Sequence, residues 1–203
     1  MSSKGKLITL EGIDGSGKST VAGRLASNPE FSDFVFTREP TGSWIGEAVD
    51  RAIHSDTDHL AELMLFAADH AEHISKLIRP SLDSGRHVIS DRYSASRYAY
   101  QGMTLADRFD DPLDWVRNLH RDWTIEPDLT ILFDVDPGTA VARCGSRGDK
   151  TKFEKIGFLE GVRANYLRLA KENPDSFVII DAGKSIDETE AELIDIIHSF
   201  LKR

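Results

Sequence analysis

The sequence predicts an α/β fold of three layers, a central five-stranded parallel sheet flanked by helices. Three observations carry that prediction. Five short β-prone runs alternate with longer helical patterns along the 203 residues. Each run is mostly continuous in apolar residues, as strands buried on both faces are. The first run leads into Gly12-Ile13-Asp14-Gly15-Ser16-Gly17-Lys18-Ser19. That stretch fits the phosphate-binding pattern G-x-x-x-x-G-K-[ST] in the strand–loop–helix setting it requires.

Taken in order, Leu7 to Glu11 reads as the first strand, and a helix starts in Thr20 to Leu25. The second strand is Val35 to Thr37, followed by a helix over about Trp44 to His54. The longest helix begins near Asp58 as cap and runs to the residues before Pro80. Leu60, Leu63, Met64, Ala67, Ala71, Ile74 and Ile78 recur at helical spacing and are expected to form its buried stripe. Phe66 and His70 lie one turn apart, off that stripe, so Phe66 either packs on a neighbour or faces a cleft. The third strand is His87 to Ser90, the fourth Leu129 to Phe133 and the fifth Phe177 to Ile180. Further helices are expected over Leu113 to His120, Pro137 to Arg143, Glu154 to Lys171 and Ile186 to Leu201.

One domain, residues 1–203, accommodates all of this, and its size is sufficient to bury a core without staples. The formal net charge of −9 argues against a nucleic-acid-binding surface and against an anionic membrane surface. Cys144 is the only cysteine, which forbids an intrachain disulfide and suits a reducing cytoplasm. No signal peptide is apparent before the first strand, and no apolar run approaches spanning length. The expectation is a cytoplasmic protein with small-molecule substrates.

Glycines in the phosphate loop let successive N–H groups turn toward a β-phosphate, and the helix N-terminus adds a favourable dipole. Lys18 is placed to reach the β- and γ-phosphates, and the Ser19 hydroxyl to ligate Mg²⁺. Such a loop serves GTPases, ATPases and small-molecule kinases alike. The chain has no Asn-Lys-x-Asp guanine-reading motif and is short for a motor. It does carry separated basic–acidic clusters at Thr37-Arg38-Glu39-Pro40, Ser90-Asp91-Arg92-Tyr93 and Arg143 to Lys150. Two of them follow strands and are expected to converge near the loop, as an anionic phosphoryl acceptor requires.

With these motifs in order, the chain resembles the thymidylate kinase family. Glu11 to Thr20 is similar to its phosphate loop, Thr37-Arg38-Glu39-Pro40 to its second-strand motif, and Leu65-Phe66-Ala67-Ala68-Asp69 to its base-contacting helix. Asp91-Arg92-Tyr93 with Tyr98-Ala99-Tyr100-Gln101-Gly102 resembles its third-strand block, and Arg147-Gly148 begins what looks like its lid, approximately 143–156. The resemblance implies a P-loop kinase fold and transfer of a phosphoryl group from Mg-ATP to the 5′-phosphate of dTMP, giving dTDP, in a homodimer. It implies that Gly12, Ile13, Asp14, Gly15, Ser16, Gly17, Lys18, Ser19 and Thr20 hold ATP, together with Arg143 and Arg147. Ser19 and Asp91 would serve Mg²⁺. Asp14 would sit between donor and acceptor, with Arg38 and Arg92 gripping the acceptor phosphate. Phe66 would stack on the pyrimidine, with Tyr100 across the sugar and Gln101 beside it. Lys18, Arg92, Asp14 and Arg147 are the implied catalytic set. Gly15 stands where some members carry arginine, so the lid is expected to supply the catalytic cation.

Two departures stand out. His70 occupies the place of an arginine that reads the thymine carbonyl, and Glu72 the place of a common glutamine. Arg97 occupies a position that is mostly small in the family. Either Arg97 supplies the base-reading cation from the other side of the pocket, or it points to solvent and His70 suffices. In the lid, Lys150 and Lys152 replace arginine and keep charge without its planar fork. His70 and His73 form an H-x-x-H pair, but no third ligand at diagnostic spacing supports a metal. Two other readings compete: a kinase for a different deoxynucleotide, and a nucleotide-binding module without transfer activity.

Overall fold

The computed structural model describes residues 4–144 and 156–202. Five parallel strands form one sheet: β1 (Leu7–Glu11), β2 (Val35–Arg38), β3 (Val88–Asp91), β4 (Leu129–Asp134) and β5 (Phe177–Asp181), in spatial order β2-β3-β1-β4-β5. Each matches its sequence expectation to within a residue or so at either end. The helices are α1 (Lys18–Ser27), α2 (Trp44–Ile53), α3 (His59–His73), α4 (Arg79–Asp83), α5 (Ser94–Thr104), α6 (Pro112–His120), α7 (Pro137–Cys144), α8 (Ile156–Glu172) and α9 (Ile186–Leu201). Among the described residues no helix is long and apolar enough to cross a membrane.

The expected continuous apolar strands are the centre of the sheet: all five residues of β1 are buried, as are Leu129 to Phe133 of β4. Leu7 and Val88 pack with Ile74, Ile78, Leu82 and Tyr93, and Ile8, Leu10, Ile131 and Phe133 join the larger cluster. The strand C-termini are aligned by register. Asp91 pairs with Leu10 on one side and with Arg38 on the other, so the acids and cations that end β2 and β3 flank the loop that leaves β1.

The structure differs from expectation in two helices. In α3 the buried residues are Glu62, Leu63, Asp69, His70 and His73, while Met64 and Ala71 are exposed. Polar groups from β2 and α5 face this helix, so its inner face is polar and apolar periodicity misplaces it. Asp58 caps it as expected, accepting from Leu60 and Ala61 N–H. The helix also does not stop before Pro80. A wider π-turn over Ile74–Ile78 leads into α4, where Pro80 sits in the first turn and needs no N–H acceptor. Helix α5 was not expected at all. Its residues Ser94 to Gly102 are all buried although Ser94, Ser96, Arg97 and Gln101 are polar, so no apolar stripe marks its inner face.

Candidate active site

The phosphate loop closes through backbone geometry. Gly12, Gly15 and Gly17 all have positive φ, and Gly17 at φ 90° is the residue from which α1 starts. A Cβ at Gly15 would lie 2.2 Å from the Ala140 carbonyl oxygen of α7, so this packing leaves no room for a side chain there. Lys18 is buried, its Nζ donating to the Ile13 carbonyl at 3.4 Å. Burial, together with the nearby Arg92, lowers its pKa to about 8. Ser16 is buried, whereas Ser19 and Thr20 are exposed at the loop's mouth. The oxygen-donor pair of Ser19 and Asp91 fits a small hard cation, and Asp91 Oδ1 is buried with no hydrogen-bond partner among the described residues.

Arg92 follows β3 in the left-handed region, at φ 69°. Its N–H donates to the Leu10 carbonyl at 2.9 Å, and its own carbonyl accepts from Ser90 Oγ at 2.7 Å. The guanidinium reaches across to the loop: Nη1 donates to the Gly12 carbonyl at 3.2 Å and Nη2 to Asp14 Oδ1 at 2.5 Å. Tyr100 completes this unit. Its hydroxyl accepts from Asp14 N–H and donates to Asp14 Oδ2, both at 2.9 Å, and its ring lies 5.1 Å beneath the Arg92 guanidinium. Burial opposes the charges of Asp14 and Arg92, but each holds the other ionised: Asp14 falls below the usual carboxylate range and Arg92 rises above its own. Arg38 ends β2 exposed, one strand away.

The base-helix departures resolve into a buried network. Arg97 does not point to solvent: its side chain is 2% exposed, and Nη1 donates to Glu39 Oε2 while Nη2 lies 2.8 Å from His70 Nδ1. His70 is fully enclosed, its Nε2 on Thr124 Oγ1 at 3.2 Å. Burial, reinforced by Arg97, lowers its pKa to about 4, so at neutral pH the ring is uncharged. An uncharged ring donates from Nδ1 to Glu39 Oε1 at 2.8 Å, because a carboxylate can only accept, and it accepts from the Thr124 hydroxyl at Nε2. His73 Nδ1 donates to Glu39 Oε1 at 2.8 Å, with Nε2 on Thr37 Oγ1 at 2.7 Å. The H-x-x-H pair thus turns toward a carboxylate of the β2 motif. Glu39, despite its burial, is held well below the usual carboxylate range by Arg97. Two residues on, Thr41 N–H and Oγ1 donate to Asp69 at 2.8 and 2.5 Å, so the segment after β2 is pinned to α3 at two points.

The structure therefore brings together Asp14, Lys18, Arg38, Asp91, Arg92 and Tyr100, and encloses His70 and Arg97 behind them. Phe66 is half-buried one turn before His70, and Gln101 is buried on α5. Arg143 donates to the Ala182 carbonyl at 2.8 Å, beside the end of β5. Arg147, Lys150 and Lys152, and all of the expected lid from 145 to 155, lie outside the described residues. Sequence reasoning missed Glu11, Glu39 and Ser96 as members of the site. Glu11 and Glu39 stood inside the quoted motifs, the available signal being an acid at the end of an apolar strand.

A family model described as thymidylate kinase matches residues 10–193. The chain belongs to the thymidylate kinase family. It is 61% identical to a probable thymidylate kinase of Methanococcoides burtonii, covering 98% of this chain and 99% of that protein. It is also 61% identical to one of Methanosarcina barkeri, with 98% and 99% covered. A probable thymidylate kinase of Halobacterium salinarum is 50% identical over 94% of this chain and 96% of its own length. Membership agrees with the five-stranded parallel sheet and with the order of motifs along it.

Proposed function

We propose that this thymidylate kinase family member catalyses ATP + dTMP → ADP + dTDP at the C-terminal ends of β1, β2 and β3. The observation that carries the reading is the convergence of Lys18, Asp14, Arg92 and Arg38 around one phosphate loop, set by the Leu10–Asp91–Arg38 register. Gly12 through Thr20 and Arg143 hold ATP, and Arg147 is proposed as a cation of the lid. Arg38 and Arg92 take the acceptor phosphate. Phe66 stacks on the base, Tyr100 faces the sugar with Gln101 beside it, and Arg97 supplies the cation at the base end. His70, with both ring nitrogens engaged, positions Arg97.

The chemistry follows from charge. An acceptor phosphate oxygen is already ionised near neutral pH, so no strong general base is required. Catalysis rests on in-line positioning and on neutralising charge over the transferring group. Lys18 and Arg92 provide fixed positive charge there, and Asp14 holds Arg92 in line until the acceptor arrives. Ser19 and Asp91 would hold Mg²⁺, which supplies further charge neutralisation of the ATP phosphates when bound.

The whole of 1–203 is read as one kinase domain in the cytoplasm. Family resemblance supports a homodimer, and Trp44 and Met64, 75% and 42% exposed on the packed helices α2 and α3, offer an apolar face for it. Light scattering on the purified chain tests that: a monomer mass at micromolar concentration rejects it. The test of function is ADP release from Mg-ATP with dTMP, dUMP, dCMP, dGMP or no acceptor. Fast turnover with dTMP is expected, and turnover with another acceptor alone overturns the assignment.

A further inference from the structure

Glu11 ends β1 directly before the phosphate loop, and it is fully enclosed. Its carboxylate gathers three donors. Oε1 accepts from the Tyr93 N–H at 2.9 Å, and Oε2 accepts from Ser96 Oγ at 2.5 Å and Tyr166 OH at 3.0 Å. Tyr93 follows Arg92 in the chain, so the first of these bonds grips the backbone next to the residue at φ 69°. A non-glycine residue in that region is strained and persists only where its surroundings over-determine it. Here Leu10, Ser90 and Glu11 together satisfy the N–H and C=O of Arg92 and the N–H of Tyr93.

The second bond reaches the other end of the same residue. Ser96 Oγ, donating to Glu11, accepts from Arg92 Nη1 at 3.1 Å. A hydroxyl has one proton. Burial raises the pKa of Glu11 while Ser96, Arg92 and Tyr166 oppose that rise, and with three donors turned to it the carboxylate takes the Ser96 proton and leaves a lone pair of Ser96 facing the guanidinium. The charge of Glu11 therefore sets the direction of a neighbouring hydrogen bond as well as making its own. The third bond ties in α8, the helix that begins at Ile156, through Tyr166, which also lies 2.8 Å from Ser96 Oγ.

We infer that Glu11 is a positioning residue for phosphoryl transfer: its carboxylate fixes the backbone and the guanidinium of Arg92 in the direction the transferring group requires. The inference rests on the proposed kinase reading and on the role given there to Arg92. An amide at position 11 has the same shape but cannot accept from all three donors. It turns an N–H toward either Tyr93 N–H or the Ser96–Tyr166 pair, and Arg92 loses its fixed direction. A residue that acts through Arg92 matters only while Arg92 has a planar fork to direct.

The test is a cycle of kcat values on the full chain with Glu11→Gln, Arg92→Lys and the double variant. In the wild-type background Glu11→Gln is expected to lower kcat about tenfold with the ATP KM little changed, and in the Arg92→Lys background by less than about twofold. Ser96→Ala, which removes the hydroxyl that links Glu11 and Tyr166 to the guanidinium, is run in the same cycle and carries the test if Glu11→Gln does not fold. The same loss in both backgrounds, or wild-type kcat in the single variants, overturns the inference. An unmodified chain that releases no ADP with dTMP refutes the kinase reading and this inference with it. An additive cycle in an active enzyme refutes only the role of Glu11.

Discussion

Arg97 of α5 and Glu39 at the end of β2 form an ion pair with only 2% of either side chain exposed. Two histidines of α3 complete it, so the cation proposed for the base end lies on a different helix from the one the family resemblance implied. A buried pair of this kind adds little net stability when intact, but breaking it leaves a charge uncompensated. Glu39→Gln is expected to cost about 3 kcal/mol by urea denaturation, and Glu39→Gln combined with Arg97→Met less than that. Equal losses in the single and double variants reject the pairing as the cause.

Arg97 is also expected to matter for the acceptor. Calorimetry of dTMP binding to Arg97→Ala is predicted to show affinity lowered about tenfold, with ATP affinity unchanged. Unaltered dTMP affinity removes Arg97 from the base site.

Lys18 carries the pH dependence on the alkaline side. With its pKa lowered to about 8, it is charged below that value and neutral above it. A neutral amine no longer attracts the ATP phosphates, so kcat/KM for ATP is expected to fall as pH rises through about 8. Lys18→Arg, whose guanidinium stays charged, is predicted to lose that limb at whatever activity it retains. A profile unchanged by the substitution places the titration elsewhere.

On the acid side the consequence is for stability. His70 titrates near 4 and His120 near 3, burial being the main cause of both, against 6.5 for an exposed ring. As pH falls below 6.5 the unfolded chain takes up these protons and the folded chain does not, so stability drops through the window from 6.5 to about 4. His70 alone contributes on the order of 3 kcal/mol to that loss. A urea midpoint that stays level from pH 7 to 5 contradicts the enclosed, neutral His70.

Phe66 and Arg92 are expected to separate binding from chemistry. Phe66→Ala is predicted to raise the dTMP KM about tenfold with kcat within a few-fold of wild type. Arg92→Ala is predicted to lower kcat by about two orders of magnitude or more. Near-normal turnover in Arg92→Ala contradicts the role given to its guanidinium.

What was legible in the sequence was what short-range physics dictates. The five strands announced themselves because a strand covered on both faces must be apolar along its length, and Gly12 to Ser19 because glycine adopts the positive φ of a phosphate cradle without a Cβ penalty. The caps followed the same logic, with Asp58 heading α3. Helix α5 escaped because polar residues such as Ser96 and Arg97 are buried in it, held by Glu11 and Glu39 from distant parts of the chain. Asp69, His70 and His73 escaped because their burial depends on partners distant in the chain.

The sequence by itself determined the class of fold, the phosphate loop and the cluster of acids and arginines at the strand ends. Only the tertiary structure decided that Arg97 is enclosed rather than turned to solvent, and how it is held. Burying Arg97 is tolerable because Glu39, more than fifty residues earlier, lies where β2 ends against α3 and α5. Burying His70 is tolerable because Glu39 and Thr124 satisfy both of its nitrogens. A charge enters a protein interior only with its counter-charge in place, and residues so far apart in the chain become partners only once the fold has brought their elements together.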